Sequence, residues 1–296
     1  PNLIGADSPI QGVNGVDVTT WPTEWMQPTT FTTMESAEKE YQICFKCHSY
    51  WGLGVSSAPT NPALPYIAPY IPPSGMATGV PLTDVAWEMN KNNKSGHPVA
   101  FPNSVAGRPG SYDPQKLEAI QLLTPWSNDA GGNTMYCSDC HGSDDELNVV
   151  DPKGPHGSNK KWMLKSSTGN YYWPFKDGTT TAYDTDDINT AGDTGLFCKN
   201  CHNLTTPHKE WDFRMTSRNR KCINCHVAIP HGSPVSRLIG YESFPAPYNY
   251  QGDSLMVLEY VKNSVIDSND ISGTWCGGGK CHANNDVPGN DVYPLP

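Results

Sequence analysis

The amino-acid sequence predicts a mostly coil fold with a few short α-helices and a small β-hairpin, in which bound groups rather than side chains supply the core. Three observations predict it. Only 17% of the 296 residues are charged, where about a quarter is usual, and Gly, Pro, Asn, Thr, Ser and Tyr fill the deficit, a turn-forming mixture. No α/β or all-β pattern organises the pieces. All ten cysteines fall in pairs, and each pair is followed at once by a histidine.

The elements follow in chain order. A first helix is expected from about Met34 to Cys47, with Thr32 and Glu35 arranged as a capping box. Residues 54–82 are rich in Pro, Gly and Ser and read as a long coil excursion. A second helix is expected to start at Pro114 behind Asp113. The stretch "WMLKSSTGNYYWPF" (162–175) reads as a hairpin around Thr168-Gly169-Asn170. A third helix is expected from Ser254 to about Asn263. Asn93-Lys94-Ser95 and Asn203-Leu204-Thr205 match the N-glycosylation pattern, a weak signal at this length.

The cysteine pairs carry the chemistry. They read "CFKCH" (Cys44, Cys47, His48), "CSDCH" (Cys137, Cys140, His141), "CKNCH" (Cys198, Cys201, His202) and "CINCH" (Cys222, Cys225, His226). A fifth, wider version is "CGGGKCH" (Cys276, Cys281, His282). C-x-x-C-H is the attachment pattern of c-type haem. Two thiols add to the two porphyrin vinyl groups, the two intervening residues bring both sulfurs to one ring edge, and the adjacent histidine meets the iron. In the fifth motif three glycines let the longer loop bulge without side-chain clash. The expected cofactors are therefore five covalently bound haem c, and the fold class is a multihaem cytochrome c. Folding should depend on haem insertion, as it does in small metal domains.

Two other readings compete. Cys198-x2-Cys201-x20-Cys222-x2-Cys225 fits a zinc ribbon, but leaves His202 and His226 as accidents and three motifs unexplained. A disulfide framework does not require histidine after every second cysteine.

Four histidines lie outside the motifs: His97 ("SGHPV"), His156 ("GPHGS"), His208 ("TPHKE") and His231 ("IPHGS"). Each has proline beside it, and three have glycine at or one residue from it, a backbone suited to presenting imidazole over a flat ring. They are expected as distal iron ligands. His231 should serve a haem other than the one its neighbour His226 holds, because a short connection does not wrap from one face of a porphyrin to the other. Bis-histidine iron has no open position, which suits an electron carrier rather than an enzyme; no catalytic residue is assigned. Five irons need ten axial ligands and the chain has nine histidines. Haem 5 is expected to lack a second histidine, with Met256, another methionine (Met76, Met89, Met135, Met163, Met215), the Pro1 amine or water as candidates.

The bulk numbers exclude other classes. A net charge of −10 with no basic run argues against a nucleic-acid partner. No apolar run approaches the roughly 20 residues of a membrane span. No signal peptide is in view, and the chain reads as a mature protein whose targeting segment has been removed or was not included; an extracellular or cell-surface location, with the periplasm as alternative, is what the resemblance below implies.

The stretches "CINCHVAIPHGS", "GPHGS" downstream of "CSDCH", and "SGHPV" between the first two motifs resemble the extracellular multihaem c-type cytochromes that polymerise into filaments, the cytochrome nanowires. The resemblance runs from Cys44 to His231, giving a four-haem module over 1–231 and an extension over 232–296 that carries haem 5, joined as one continuous unit. It implies haems stacked in alternating parallel and near-perpendicular contact, and subunits joined head to tail in an open helical filament, the outcome of a heterologous interface that does not close. It also implies a distal histidine donated across the interface. Relatives use one near the N-terminus; residues 1–47 contain none, and His97 is the replacement candidate. The implied function is long-range extracellular electron transfer, with redox proteins or extracellular acceptors as partners. A soluble electron shuttle is the first alternative. The second is a reductase working at an open haem, although no "CxxCK" of the pentahaem nitrite reductases occurs here.

Overall fold

The computed structural model describes residues 11–53, 83–102, 122–129, 134–142, 156, 158, 161–164, 173–176, 180–183, 195–204, 221–244, 247–250, 255–256, 261–262, 275–277, 280–282 and 291–292. Regular structure is sparse. Strands β1 (Gly15–Val18) and β2 (Phe31–Met34) pair antiparallel, with Val16 opposite Thr33 and Asp17 opposite Thr32. Helix α1 (Glu40–His48) ends on the first motif, and α2 (Tyr50–Leu53) and α3 (Val85–Glu88) are single turns. The remaining ladders are β3 (Ser95–Gly96) with β4 (Gly232–Ser233), β5 (Val261–Lys262) with β8 (Asp291–Val292), and β6 (Trp275–Gly277) with β7 (Lys280–His282).

Several local expectations are corrected. The first helix begins at Glu40 rather than Met34, because Thr32 is committed to the ladder opposite Asp17. The cap is built by Gln42, whose Oε1 accepts the backbone N–H groups of Glu38 and Lys39, both at 2.9 Å. The third helix is absent where described: Val261 and Lys262 pair with Val292 and Asp291 as strand. The ends of the expected 162–175 hairpin bond elsewhere, Leu164 to His141 and Phe175 to Ala182, and its turn lies outside the described residues. The coil excursion 54–82 and the helix at Pro114 also lie outside them. Asn93 is fully buried and its Nδ2 donates to the carbonyls of Trp87 and Glu88, so it is no glycosylation site.

Three apolar clusters lie among the described residues, and motif cysteines sit at the rim of each. Cys137 and Cys140 pack on the cluster of Tyr41, Phe45 and Val99. Cys198 and Cys222 pack on that of Trp173, Tyr183 and Leu196. Cys225 packs on that of Val227, Tyr241 and Tyr248. The last cluster crosses the expected 231/232 boundary, as does the β3–β4 ladder. Residues 232–244 and 247–250 are thus knit into the same body as the motifs before them.

The turn of α3 is fixed by the fully buried Asp84. Its Oδ1 accepts the N–H groups of Ala86 and Trp87, and its Oδ2 those of Gln27 Nε2 and Tyr50. Burial lifts this carboxyl to about 7 against those hydrogen bonds. A carboxyl raised above its unfolded value of 3.8 binds its proton more tightly when folded. Its contribution is full below about pH 4 and lost as pH rises through about 7. Thermal melts from pH 4 to pH 8 should show a fall of about 2–4 kcal/mol from this group, and Asp84→Asn should flatten that slope.

Candidate metal centres

Three of the motifs form the same compact turn. The carbonyl of the first cysteine accepts the N–H of the second and of the following histidine: Cys137 from Cys140 and His141 (3.2 and 2.9 Å), Cys198 from Cys201 and His202 (3.3 and 2.9 Å), Cys222 from Cys225 and His226 (3.1 and 3.0 Å). The first motif lies inside the last turns of α1. The fifth differs. It is a β-hairpin, with Cys276 directly opposite Cys281 and Trp275 opposite His282.

The motif histidines face the histidines outside the motifs. His48 lies against His156 with ring centroids 6.0 Å apart and planes 11° from parallel. His141 lies against His231 at 6.0 Å and 64°, and His202 against His97 at 6.1 Å and 71°. Such separations also occur between directly packed rings. The informative feature is the pairing: each time, a motif histidine meets one from outside the motifs. Two metal–imidazole bonds of about 2 Å each, with the half-width of two rings added, span about 6 Å. The gap fits one metal ion held by both rings. His208 lies outside the described residues, as do the side chain of His282 and the candidates Met76, Met215 and Pro1. His97, the candidate for donation across an interface, instead faces His202 of its own chain. Met89 and Met135 are core residues beside Tyr41 and Phe45. Met256 donates its N–H to the Asn224 carbonyl, inside the fourth motif.

The tautomers suit ligation. Nδ1 of His97 meets the Pro230 carbonyl at 2.6 Å, that of His141 the Trp162 carbonyl at 2.9 Å, and that of His226 the Arg237 carbonyl at 3.2 Å. A carbonyl only accepts, so each Nδ1 carries the proton and each Nε2 presents its lone pair, the form that binds a metal. Burial keeps the rings neutral: it lowers His202 to about 3 and His141 to about 4, and depresses His48, His97 and His226 as well.

His141 and His226 are braced by one repeated device that the sequence did not disclose. Two consecutive residues adopt left-handed backbone, Trp162 and Met163 (φ 55° and 54°) or Arg237 and Leu238 (φ 60° and 57°). The first carbonyl takes the histidine Nδ1–H, and the second takes the N–H of the residue after the histidine, Gly142 or Val227. Left-handed backbone costs a bulky residue about 1–2 kcal/mol, and such strain collects at functional sites. None of the four is glycine, so no turn signal marked them.

The β3–β4 ladder sets the other two histidines. His97 follows β3 and His231 precedes β4, and His97 N–H donates to the His231 carbonyl at 3.1 Å. A Cβ at Gly232 would overlap the Glu88 carbonyl oxygen. Gly232→Ala is expected to cost about 3 kcal/mol or more, read as a lowered melting temperature.

The pairs are also electrostatic neighbours in sequence order. His48 senses His231, His231 bears on His97, and His202 senses His226. The free thiols of Cys44 and Cys137 lie within 4.8 Å of each other, which brings motifs one and two together. Glu40, Cys44 and Cys137 lie close enough to hold a metal on their own. Glu40 already accepts the N–H and Oγ–H of Ser138, both at 2.7 Å, and so docks α1 onto the second motif. Burial pushes the Cys198 and Cys201 thiols up to about 12. A thiol held protonated in this way is a poor nucleophile in the folded chain.

No helix among the described residues is long and apolar enough to cross a membrane. No family model, curated protein or solved structure matches this chain.

Proposed function

We propose that this protein is a multihaem c-type cytochrome that conducts electrons along a chain of stacked haems, polymerised outside the cell into a filament for long-range transfer. The observation that carries the reading is the repeated meeting of a motif histidine with one outside the motifs at about 6 Å. Cys44/Cys47, Cys137/Cys140, Cys198/Cys201 and Cys222/Cys225 would hold four haems. His48 with His156, His141 with His231, and His202 with His97 would be three axial pairs, leaving His208 to pair with His226. Cys276, Cys281 and His282 would hold a fifth. Each haem would supply a one-electron couple. The backbone carbonyls that take the Nδ1 protons of His97, His141 and His226 would fix those rings in the ligating tautomer.

The polymer rests on the resemblance of "CINCHVAIPHGS" and its companion stretches to filament-forming cytochromes. Electron microscopy of the exported, haem-loaded protein tests it. Thin helical filaments of constant repeat are expected; dispersed particles alone at high concentration would reduce the protein to a soluble shuttle.

The hairpin favours a second reading of the fifth motif. Opposite positions in an antiparallel ladder stand about 4.5–5.5 Å apart at Cα, inside the ~4.4–6.8 Å that a disulfide spans. Eight of the nine histidines complete four bis-histidine sets and leave His282 over. On this reading the chain holds four haems and a Cys276–Cys281 disulfide, formed as the two thiols give two hydrogens to a dithiol-oxidising partner during export. The intact mass distinguishes a fifth haem from a deficit of two hydrogens.

A further inference from the structure

Among the described histidines whose Nδ1 partner is defined, three face backbone carbonyls and one faces a carboxylate. His231 Nδ1 lies 2.6 Å from Glu88 Oε2, whereas His97, His141 and His226 meet Pro230, Trp162 and Arg237 carbonyls. Glu88 has no exposed surface. It closes α3, whose start Asp84 caps, and its own carbonyl accepts Asn93 Nδ2 at 2.8 Å. Its other carboxylate oxygen accepts the hydroxyl of the buried Tyr248. Backbone and carboxylate are thus both held, and the carboxylate is aimed at one imidazole.

A buried carboxylate with so few partners costs free energy unless it answers a positive charge. Carboxylate is a stronger acceptor than carbonyl. Pulling on the Nδ1 proton makes the opposite Nε2 a better donor to a metal and favours the more highly charged, oxidised iron. The low dielectric of the interior strengthens both effects. We infer that Glu88 is a positioning residue that sets the reduction potential of the centre between His141 and His231, making it harder to reduce than its neighbours at His48/His156 and His202/His97. The inference rests on the haem reading proposed above. It places a low-potential centre second in the order of motifs, beside the His202/His97 centre, where His97 Nδ1 meets a carbonyl, so electrons would cross an uneven profile. The Tyr248 hydroxyl donates to the same carboxylate and so weakens its pull on His231; the two residues make an adjustable pair.

The test uses the exported, haem-loaded protein in a spectroelectrochemical titration with parallel electron paramagnetic resonance. Glu88→Gln keeps the shape and removes the charge. The component of lowest potential should move positive, the others should stay within error, and every centre should remain low-spin. Tyr248→Phe removes the competing donor and should move that same component negative. A purely structural role for Glu88 would shift all components together or produce high-spin iron. An unmoved lowest component in folded Glu88→Gln, or a positive shift in Tyr248→Phe, overturns the inference. If Glu88→Gln does not accumulate, the Tyr248→Phe shift decides alone. A chain that takes up no covalent haem overturns the haem reading itself, a result visible before any titration.

Discussion

His231→Ala should convert one centre, and only one, from low-spin to high-spin ferric iron. The imidazole of His231 is the ring that faces His141, and no other histidine ring is recorded against His141 among the described residues. On the proposed haem reading, its removal would leave that iron with a single protein ligand and an open position. The high-spin signal should vanish on addition of imidazole, and cyanide should bind that centre alone. The partner substitutions differ in kind. Loss of a motif histidine removes the ligand adjacent to the thioethers, whereas loss of His231 leaves the covalent attachment intact, so the haem count should not change. Stability should also fall by several kcal/mol, because Glu88 loses its partner and a buried carboxylate is left with Tyr248 alone. A low-spin spectrum unchanged by the substitution would disprove the pairing.

A chain produced without haem attachment should not fold. The described apolar clusters are three separate groups, each rimmed by motif cysteines, and among the described residues most backbone outside them is turn or coil. Groups attached at those cysteines would close the clusters against one another; without them, apolar faces stay open and strained braces such as Arg237-Leu238 have nothing to offset their cost. Expression in a compartment lacking the attachment machinery should yield a coil-like circular dichroism spectrum, rapid proteolysis and no cooperative melt. The double substitution Cys137→Ala/Cys140→Ala is the milder test. It should delete one haem and lower the melting temperature sharply, since those residues border both the Tyr41–Phe45 cluster and the Glu40–Ser138 dock. A cooperative melt in the haem-free chain would show that side chains alone suffice.

The compact turns of the second to fourth motifs were legible because their spacing is local. Three of the four outer histidines singled out by the Pro and Gly around them, His97, His156 and His231, do face motif histidines, and His208 lies outside the described residues. The partners of these histidines were not legible, because pairing depends on contacts such as His97 with His202 that span a hundred residues. The reading that His231 serves a centre other than that of His226 matches the observed facing of His231 and His141, and its reason was simple chain geometry. The misplaced start of α1 has an equally physical cause. Thr32 and Glu35 have cap chemistry, but Thr32 is a strand residue here, and Gln42 supplies the cap from within. Asn93 carried a sequon, yet its amide spans the end of α3; a three-residue pattern says nothing of burial. Nothing in the sequence singled out Glu88. Only the fold, which brings residues 231 and 248 to it, gives it a role.

The most direct measurement is the intact mass of the exported protein under denaturing conditions, which retains thioether-bound haem and strips anything merely coordinated. The account predicts the chain mass raised by one haem for each of the four compact motifs, with either a fifth haem or a loss of two hydrogens from the Cys276–Cys281 hairpin. The bare chain mass, or a mass carrying zinc only under native conditions, would contradict it.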